Sequence, residues 1–187
     1  MTISDEAKAK VSAVLKVGER AVDATMGNGW DTLFLAERVG VDGEVFAFDV
    51  QKAAIEATGK RLKKEGLLSC CSLHLTGHEN MGGIVPCGVG AVMFNLGYLP
   101  YAKRETITSP VTTLLALGAA AGLLRAGGVM TIICYRGHAG GQEEAQAVLD
   151  FVWPLKSVFS IEAPKELPAG DQAFLVTLHK HQDNESE

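Results

Sequence analysis

Apolar positions along the chain follow two alternating rhythms. Short, nearly continuous apolar runs give strands, and longer stretches with helical spacing give helices. The runs predict strands over Arg20–Thr25, Glu44–Asp49, Ser72–Leu75, Val89–Phe94, Val129–Tyr135 and Phe174–Leu178. Between them the spacing predicts helices over Ile3–Leu15, with Ser4 or Asp5 near the cap, Asp31–Val39, Ala53–Glu65 stopped at Gly66, and Gln142–Phe151. A further helix starts at Ser109-Pro110, a capping hydroxyl before a proline at the first helical position. It passes through Leu114, Leu115, Leu117 and Leu123 to a stop at Gly127-Gly128. Val129–Tyr135 is apolar throughout, as a strand covered on both faces must be. Strands alternating with helices imply an α/β fold with right-handed crossovers, a mostly parallel sheet and helices on both faces.

Such sheets bind ligands at the carboxyl ends of their strands. Asp23, Asp49, His78, Asn95 and Tyr135 all fall at or just beyond predicted strand ends. After the first strand, Gly27 and Gly29 form a turn that enters the helix at Asp31, bringing backbone N–H groups and a helix N-terminus up to a nucleotide-like ligand. A dinucleotide fingerprint would place a third glycine at position 32, where the chain has Thr32. Asp23 would repel a pyrophosphate but suits a ligand with an ammonium group, such as S-adenosylmethionine (SAM). Asp49 lies where an acidic side chain commonly accepts from two ribose hydroxyls, and both NAD and SAM carry such a ribose. It also suits the cap of the helix that follows. Gly77-His78-Glu79-Asn80 either borders the adenine or is an ordinary surface loop.

Two later segments carry reactive chemistry. Asn95-Leu96-Gly97-Tyr98-Leu99-Pro100 closes a buried strand with an amide, a glycine and an aromatic. Amino-group methyltransferases often carry an Asn or Asp, two prolines and an aromatic there; Leu96-Gly97 replaces the prolines. The amide oxygen and a backbone carbonyl would accept N–H bonds from a target amine and aim its lone pair. A strand-end Asn that satisfies a turn is the plainer reading. Tyr135-Arg136-Gly137-His138-Ala139-Gly140-Gly141 ends the next strand; it suits a nucleotide phosphate, a base, or a proton acceptor at His138.

Composition narrows this little. With 187 residues, 47% of them hydrophobic, the chain suits one domain over 1–181 and a short disordered acidic tail over 182–187. No run reaches a membrane span, and the first residues do not resemble a secretory signal. Cys70, Cys71, Cys87 and Cys134 form neither a disulfide framework nor a metal set, which points to the cytoplasm. A net charge of −5 argues against nonspecific coating of nucleic acid. Local basic groups remain in Lys52, Lys60, Arg61, Lys63 and Lys64, and in Lys103, Arg104, Arg125 and Arg136.

Taken in order, Asp23-Ala24-Thr25, Gly27-Asn28-Gly29, Asp31-Thr32, Phe48-Asp49-Val50-Gln51, Gly77-His78-Glu79-Asn80, Asn95 to Pro100 and Tyr135 to Gly141 resemble one family. It is the small class I, SAM-dependent family long labelled rRNA methylase. Some of its members are tRNA methyltransferases for wobble-position 5-aminomethyl-uridine, often 2-thiolated. The resemblance implies a Rossmann-like class I methyltransferase sheet of seven strands with the last antiparallel, and 5-methylaminomethyl-uridine as product. It implies that SAM is held by Asp23, Thr25, Gly27, Asn28, Gly29, Asp31, Thr32, Asp49, Gln51, His78, Glu79 and Asn95. Asn95, Tyr98 and His138 then carry the reaction, and Leu96, Gly97, Tyr98, Tyr135, Arg136, Gly137, His138, Gly140 and Gly141 contact substrate. The expected partner is the anticodon region of tRNA, with no membrane and a homodimer left open; no metal is expected. Three other readings stay open on the residues: an NAD-dependent oxidoreductase, a methyltransferase of rRNA or of a small amine, and an inactive methyltransferase fold that only binds.

Overall fold

The computed structural model describes residues 1–97 and 108–182. Seven strands form one sheet in the order β3-β2-β1-β4-β5-β7-β6. They are β1 (Arg20–Asp23), β2 (Glu44–Asp49), β3 (Cys71–Leu75), β4 (Val89–Leu96), β5 (Leu124–Cys134), β6 (Phe159–Glu162) and β7 (Phe174–Lys180). The helices are α1 (Ile3–Ser12), α2 (Trp30–Val39), α3 (Lys52–Lys64), α4 (Pro110–Leu123) and α5 (Gly141–Val152). All neighbouring strands pair in parallel except β7, which runs against both β5 and β6. This is the Rossmann-like methyltransferase arrangement expected from the sequence. Its strand order reverses between β1 and β4, which places the ligand crevice beyond Asp23 and Asn95.

The sheet divides two apolar cores. One gathers Phe48, Phe94, Leu117, Met130, Ile132 and Leu149 beneath α4 and α5. The other gathers Val11, Leu35, Leu62, Met93 and Ile133 beneath α1, α2 and α3. At roughly 1.5–3 kcal/mol per large side chain removed from water, these layers dominate the stabilisation of the fold.

Local chemistry moves several boundaries. α1 starts at Ile3 as expected, but its cap is Thr2, which forms a reciprocal capping box with Asp5, and not Ser4 or Asp5. It ends at Ser12 instead of Leu15. α4 ends at Leu123, where the Lys180 ammonium donates to the Ala121 and Leu124 carbonyls at 3.1 and 2.6 Å. Gly127-Gly128 is therefore not a helix stop. It lies in the first part of β5, where the pairing with β4 shifts register between Val89 and Ala91. Arg125 fixes that irregular stretch through Glu19, at 2.7 and 2.9 Å. β6 was not predicted: four residues alternating between buried and open positions leave almost no apolar run. Gln182, the first residue of the expected tail, lies with its side chain against Gly127; the remainder, 183–187, lies outside the described residues.

Candidate functional site

The turn from β1 into α2 is tied down on every side. Gly27 and Gly29 have φ of 50° and 76°, a left-handed conformation that glycine adopts without strain. A Cβ at Gly29 would stand 2.5 Å from the Thr58 hydroxyl, so glycine also lets α3 lie against the turn. Thr58 donates to the Gly27 carbonyl at 3.2 Å, and the Arg61 Nε donates to the Asn28 carbonyl at 2.9 Å. Arg61 also stacks its guanidinium 3.3 Å from the centre of the exposed Trp30 ring. The Asp49 oxygens accept from the N–H groups of Gly27 and Gln51, at 2.9 and 2.8 Å. Each oxygen has capacity for a further donor.

Asp23 is fully buried, which corrects the expectation that its carboxylate meets a ligand ammonium. It accepts from the Thr32 hydroxyl at 2.6 Å and the Thr25 N–H at 3.2 Å, so it organises the turn from within. Burial pushes its carboxyl up to about 7, with Asp31 adding to the push, against the favourable bonds from Thr32 and Thr25. Thr32, where a dinucleotide site would have glycine, is equally buried.

Asn95, the penultimate residue of β4, joins this turn directly. Its N–H donates to the Thr25 hydroxyl at 2.7 Å, and its side-chain nitrogen donates to Asp31 at 2.6 Å. The other Asp31 oxygen takes the ammonium of Lys8, on α1, at 2.9 Å. Two carboxylates, an amide and a lysine thus meet at the switch point of the sheet.

The reactive loops close beside Asn95. Gly97 has φ of 139°, and a Cβ there would stand 3.2 Å from the His138 Nε2 and 3.3 Å from the Tyr135 Cβ. A Cβ at Gly141 would stand 2.9 Å from the same imidazole nitrogen. Both glycines therefore let the 135–141 loop settle on the end of β4. Gly140, at φ 83°, caps α5, and Gly137 is exposed. The His138 Nδ1 lies 3.0 Å from the Ala139 carbonyl. Because a carbonyl can only accept, Nδ1 is the donor in this contact. Gly97 and Thr108 are tied by two bonds: the Gly97 N–H to the Thr108 hydroxyl at 2.9 Å, and the Thr108 N–H to the Gly97 carbonyl at 3.2 Å. The buried Glu144 anchors this closure by accepting from the Thr108 and Thr113 hydroxyls, each at 2.7 Å.

Several expected residues sit differently. Arg136 is 2% exposed and donates to the Gln172 and Pro168 carbonyls and to the Gln142 side chain. It braces the loop from inside and does not form a phosphate-facing rim. The Leu96 carbonyl already accepts the Tyr135 N–H at 3.2 Å as the last rung between β4 and β5. His78 is buried, donates from Nδ1 to the Ala24 carbonyl at 3.2 Å and meets the Phe94 ring edge-on. Burial holds it neutral, outweighing the pull of Glu79. Glu79 is partly buried beside Gly77, and Tyr135 is exposed. Partial desolvation raises the Tyr135 phenol, and burial, with Glu144 nearby, pushes the Cys134 thiol up to about 12. Tyr98, Lys103 and Arg104 lie outside the described residues.

Lys8, Thr58 and Glu144 were missed. Thr58 and Glu144 had a signal in the sequence. Each is a polar residue on the apolar stripe of its helix, Thr58 between Ala54 and Leu62 and Glu144 beside Ala145 and Val148.

Residues 45–165, well over half the chain, match the model of the family described as "Putative rRNA methylase". The chain is 43% identical over 150 residues, 74% of its length, to a protein of Arabidopsis thaliana named tRNA (mnm(5)s(2)U34)-methyltransferase, chloroplastic. It spans 54% of that plant protein. A solved structure described as a "putative rRNA-methylase" from Clostridium thermocellum is 38% identical, with a TM-score of 0.91, over 96% of this chain and 98% of that one. Another, a "putative methyltransferase" from Streptococcus mutans in complex with SAH, is 36% identical, with a TM-score of 0.85, over 96% of this chain and 98% of that one. The fold around the β1–β4 switch point is thus one that these relatives share, and the chain belongs to the rRNA methylase family that this model describes.

Proposed function

We propose that the chain is a SAM-dependent N-methyltransferase that converts 5-aminomethyl-uridine, with or without 2-thiolation, to 5-methylaminomethyl-uridine at the wobble position of tRNA. The observation that carries this reading is Asn95. Its amide stands at the switch point between the glycine turn and the His138 loop, where a methyl donor and an amine would meet. The name of the plant relative supplies the substrate class, and the SAH complex of the Streptococcus relative supports the cofactor.

The turn fits SAM. Asp49 keeps lone pairs for two ribose hydroxyls, and the N-terminus of α2 opens on the crevice at the positive end of its dipole. Gln51 and Asn28 lie around it, and His78 supports the floor beneath Ala24. When bound, SAM supplies a methyl group on a sulfonium, which a neutral amine attacks directly. The protein therefore has to line up the amine and keep its lone pair available. Asn95 would accept one amine N–H through its side-chain oxygen, and the His138 imidazole is the proposed acceptor of the proton that must leave. Tyr135, and Tyr98 beyond the described residues, are the aromatics proposed to pack on the base. Such alignment supplies several kcal/mol of the barrier, up to roughly 7–11 kcal/mol in the best cases.

The partner in this reading is the anticodon region of tRNA. The exposed Lys52, Lys60, Lys63 and Lys64 on α3 supply positive charge. Residues 1–181 act as one domain, in the cytoplasm. A homodimer is supported by the outer face of α4, where Val111 and Leu115 are exposed and the whole helix carries no charge. No described helix is long and apolar enough to cross a membrane.

Nucleoside mass spectrometry of total tRNA from cells lacking the protein tests the reading. The expected result is accumulation of the 5-aminomethyl nucleoside and loss of its N-methylated form. An unchanged tRNA profile with loss of a methyl mark from rRNA would overturn it.

A further inference from the structure

An asparagine amide is nearly symmetric in shape but opposite in polarity at its two ends. The same side chain can offer either an acceptor or a donor to whatever it faces. For Asn95 the two choices have opposite consequences. An oxygen turned to the amine accepts its N–H and leaves the lone pair for the methyl group. A nitrogen turned there would donate to that lone pair and block the attack. Something in the protein must therefore set which end faces the substrate.

Asp31 can do so, because an ionised carboxylate only accepts. It takes the Asn95 side-chain nitrogen at 2.6 Å, which turns the amide oxygen away from it. Asp31 is itself in an awkward place, close enough to the buried Asp23 to add to the upward push on that carboxyl. Lys8 answers this from α1, with its ammonium 2.9 Å from the second Asp31 oxygen. The side chains are 27% and 12% exposed, so water screens this pair less than an ordinary surface pair. The capping box at Thr2 and the buried Ala7 and Val11 fix the helix that presents Lys8, and the Lys8 ammonium also lies 5.5 Å above the Phe34 ring.

We propose that Lys8 is a positioning residue for methyl transfer: through Asp31 it fixes the polarity of the Asn95 amide so that its oxygen faces the reacting amine. The inference rests on the methyl-transfer reading above. Lys8 touches neither substrate nor cofactor in this role and acts only through Asp31 and Asn95.

The test joins kinetics to a measurement that needs no substrate. Lys8→Met should lower kcat for methyl transfer by roughly tenfold or more, as small losses of alignment do, with SAH affinity within about twofold of wild type. Lys8→Arg, which keeps the charge, should restore most of the rate. On an Asn95→Ala background, Lys8→Met should cost nothing further, because the relay then has no end to act on. In NMR spectra of protein with 15N-labelled asparagine side chains, the Asn95 amide resonance should be protected from exchange in wild type and Lys8→Arg, and lose that protection in Lys8→Met. Unchanged protection in Lys8→Met, or rate losses that add in full with Asn95→Ala, would overturn the inference. Failure of the wild-type protein to methylate the amine would instead overturn the functional reading, and the NMR comparison would still decide whether Lys8 orders the amide.

Discussion

The two walls of the crevice are built by different means. The β1–α2 turn is held from close at hand. Asp49 ties the Gly27 N–H, Thr58 the Gly27 carbonyl and Arg61 the Asn28 carbonyl, all from the β2–α3 unit that follows in the chain. The wall around Gly97 and His138 depends on partners from far along the sequence. Glu144 holds Thr108, Thr108 holds Gly97, and Arg136 reaches Pro168 and Gln172. Under the proposed function, the difference separates binding from chemistry. A locally braced turn suits a cofactor that must be gripped the same way each cycle, whereas a wall of distant parts brings an amide, an imidazole and an aromatic to one point.

Breaking the chemical wall at its centre gives the largest effect. Asn95→Ala should lower the methyl-transfer rate by roughly 10²–10³-fold, the scale of removing one preorganised polar group from a reacting centre. SAH affinity, read by calorimetry, should fall only a few-fold. The mirror experiment is Asp49→Ala in the binding wall. It should weaken SAH by about 1.5–3 kcal/mol per lost charged hydrogen bond, while the rate at saturating SAM changes far less. A variant that moved both quantities together would erase the distinction between the walls.

Glu144→Ala sharpens the comparison through stability. It removes the acceptor of one buried and one partly buried hydroxyl, at a cost of about 1–3 kcal/mol in denaturant unfolding. The reaction should suffer while SAH binding holds, because the binding wall does not use Glu144. A separate effect comes from pH. The Asp23 carboxyl sits near 7 instead of its ordinary 3.8, so between those values the folded protein keeps a proton that the unfolded chain has released. Stability from this group is therefore lost as pH rises from about 4 to 7 and is level above. His78, held neutral by burial, contributes the opposite slope and loses stability as pH falls through its ordinary 6.5. The difference between wild type and Asp23→Asn isolates the first slope; a difference that did not change across this window would mean that Asp23 is ionised throughout.

The binding wall was the more legible in the sequence because its residues are close together and of special type. Glycines with positive φ, an acid ending each of two strands and the order of motifs are all local signals. The role of Asp23 was misjudged because burial is a property of the folded core: the residues that cover it come from three elements. Arg136 was misplaced for the same reason, since its carbonyl partners lie beyond residue 167. The short β6 and the true start of β5 escaped because edge pairing and a register shift leave little trace in apolar spacing. Lys8 had no signal, being one lysine among several on an amphipathic helix.

Methyl transfer to a defined tRNA tests the central claim most directly. The purified protein and SAM are incubated with tRNA carrying unmethylated 5-aminomethyl-uridine at the wobble position, and the same tRNA with plain uridine there serves as the control. The account expects one methyl group per tRNA on the exocyclic amine, none on the control, and near-total loss of transfer with Asn95→Ala. Methyl transfer to both tRNAs alike, or full turnover by Asn95→Ala, would contradict it.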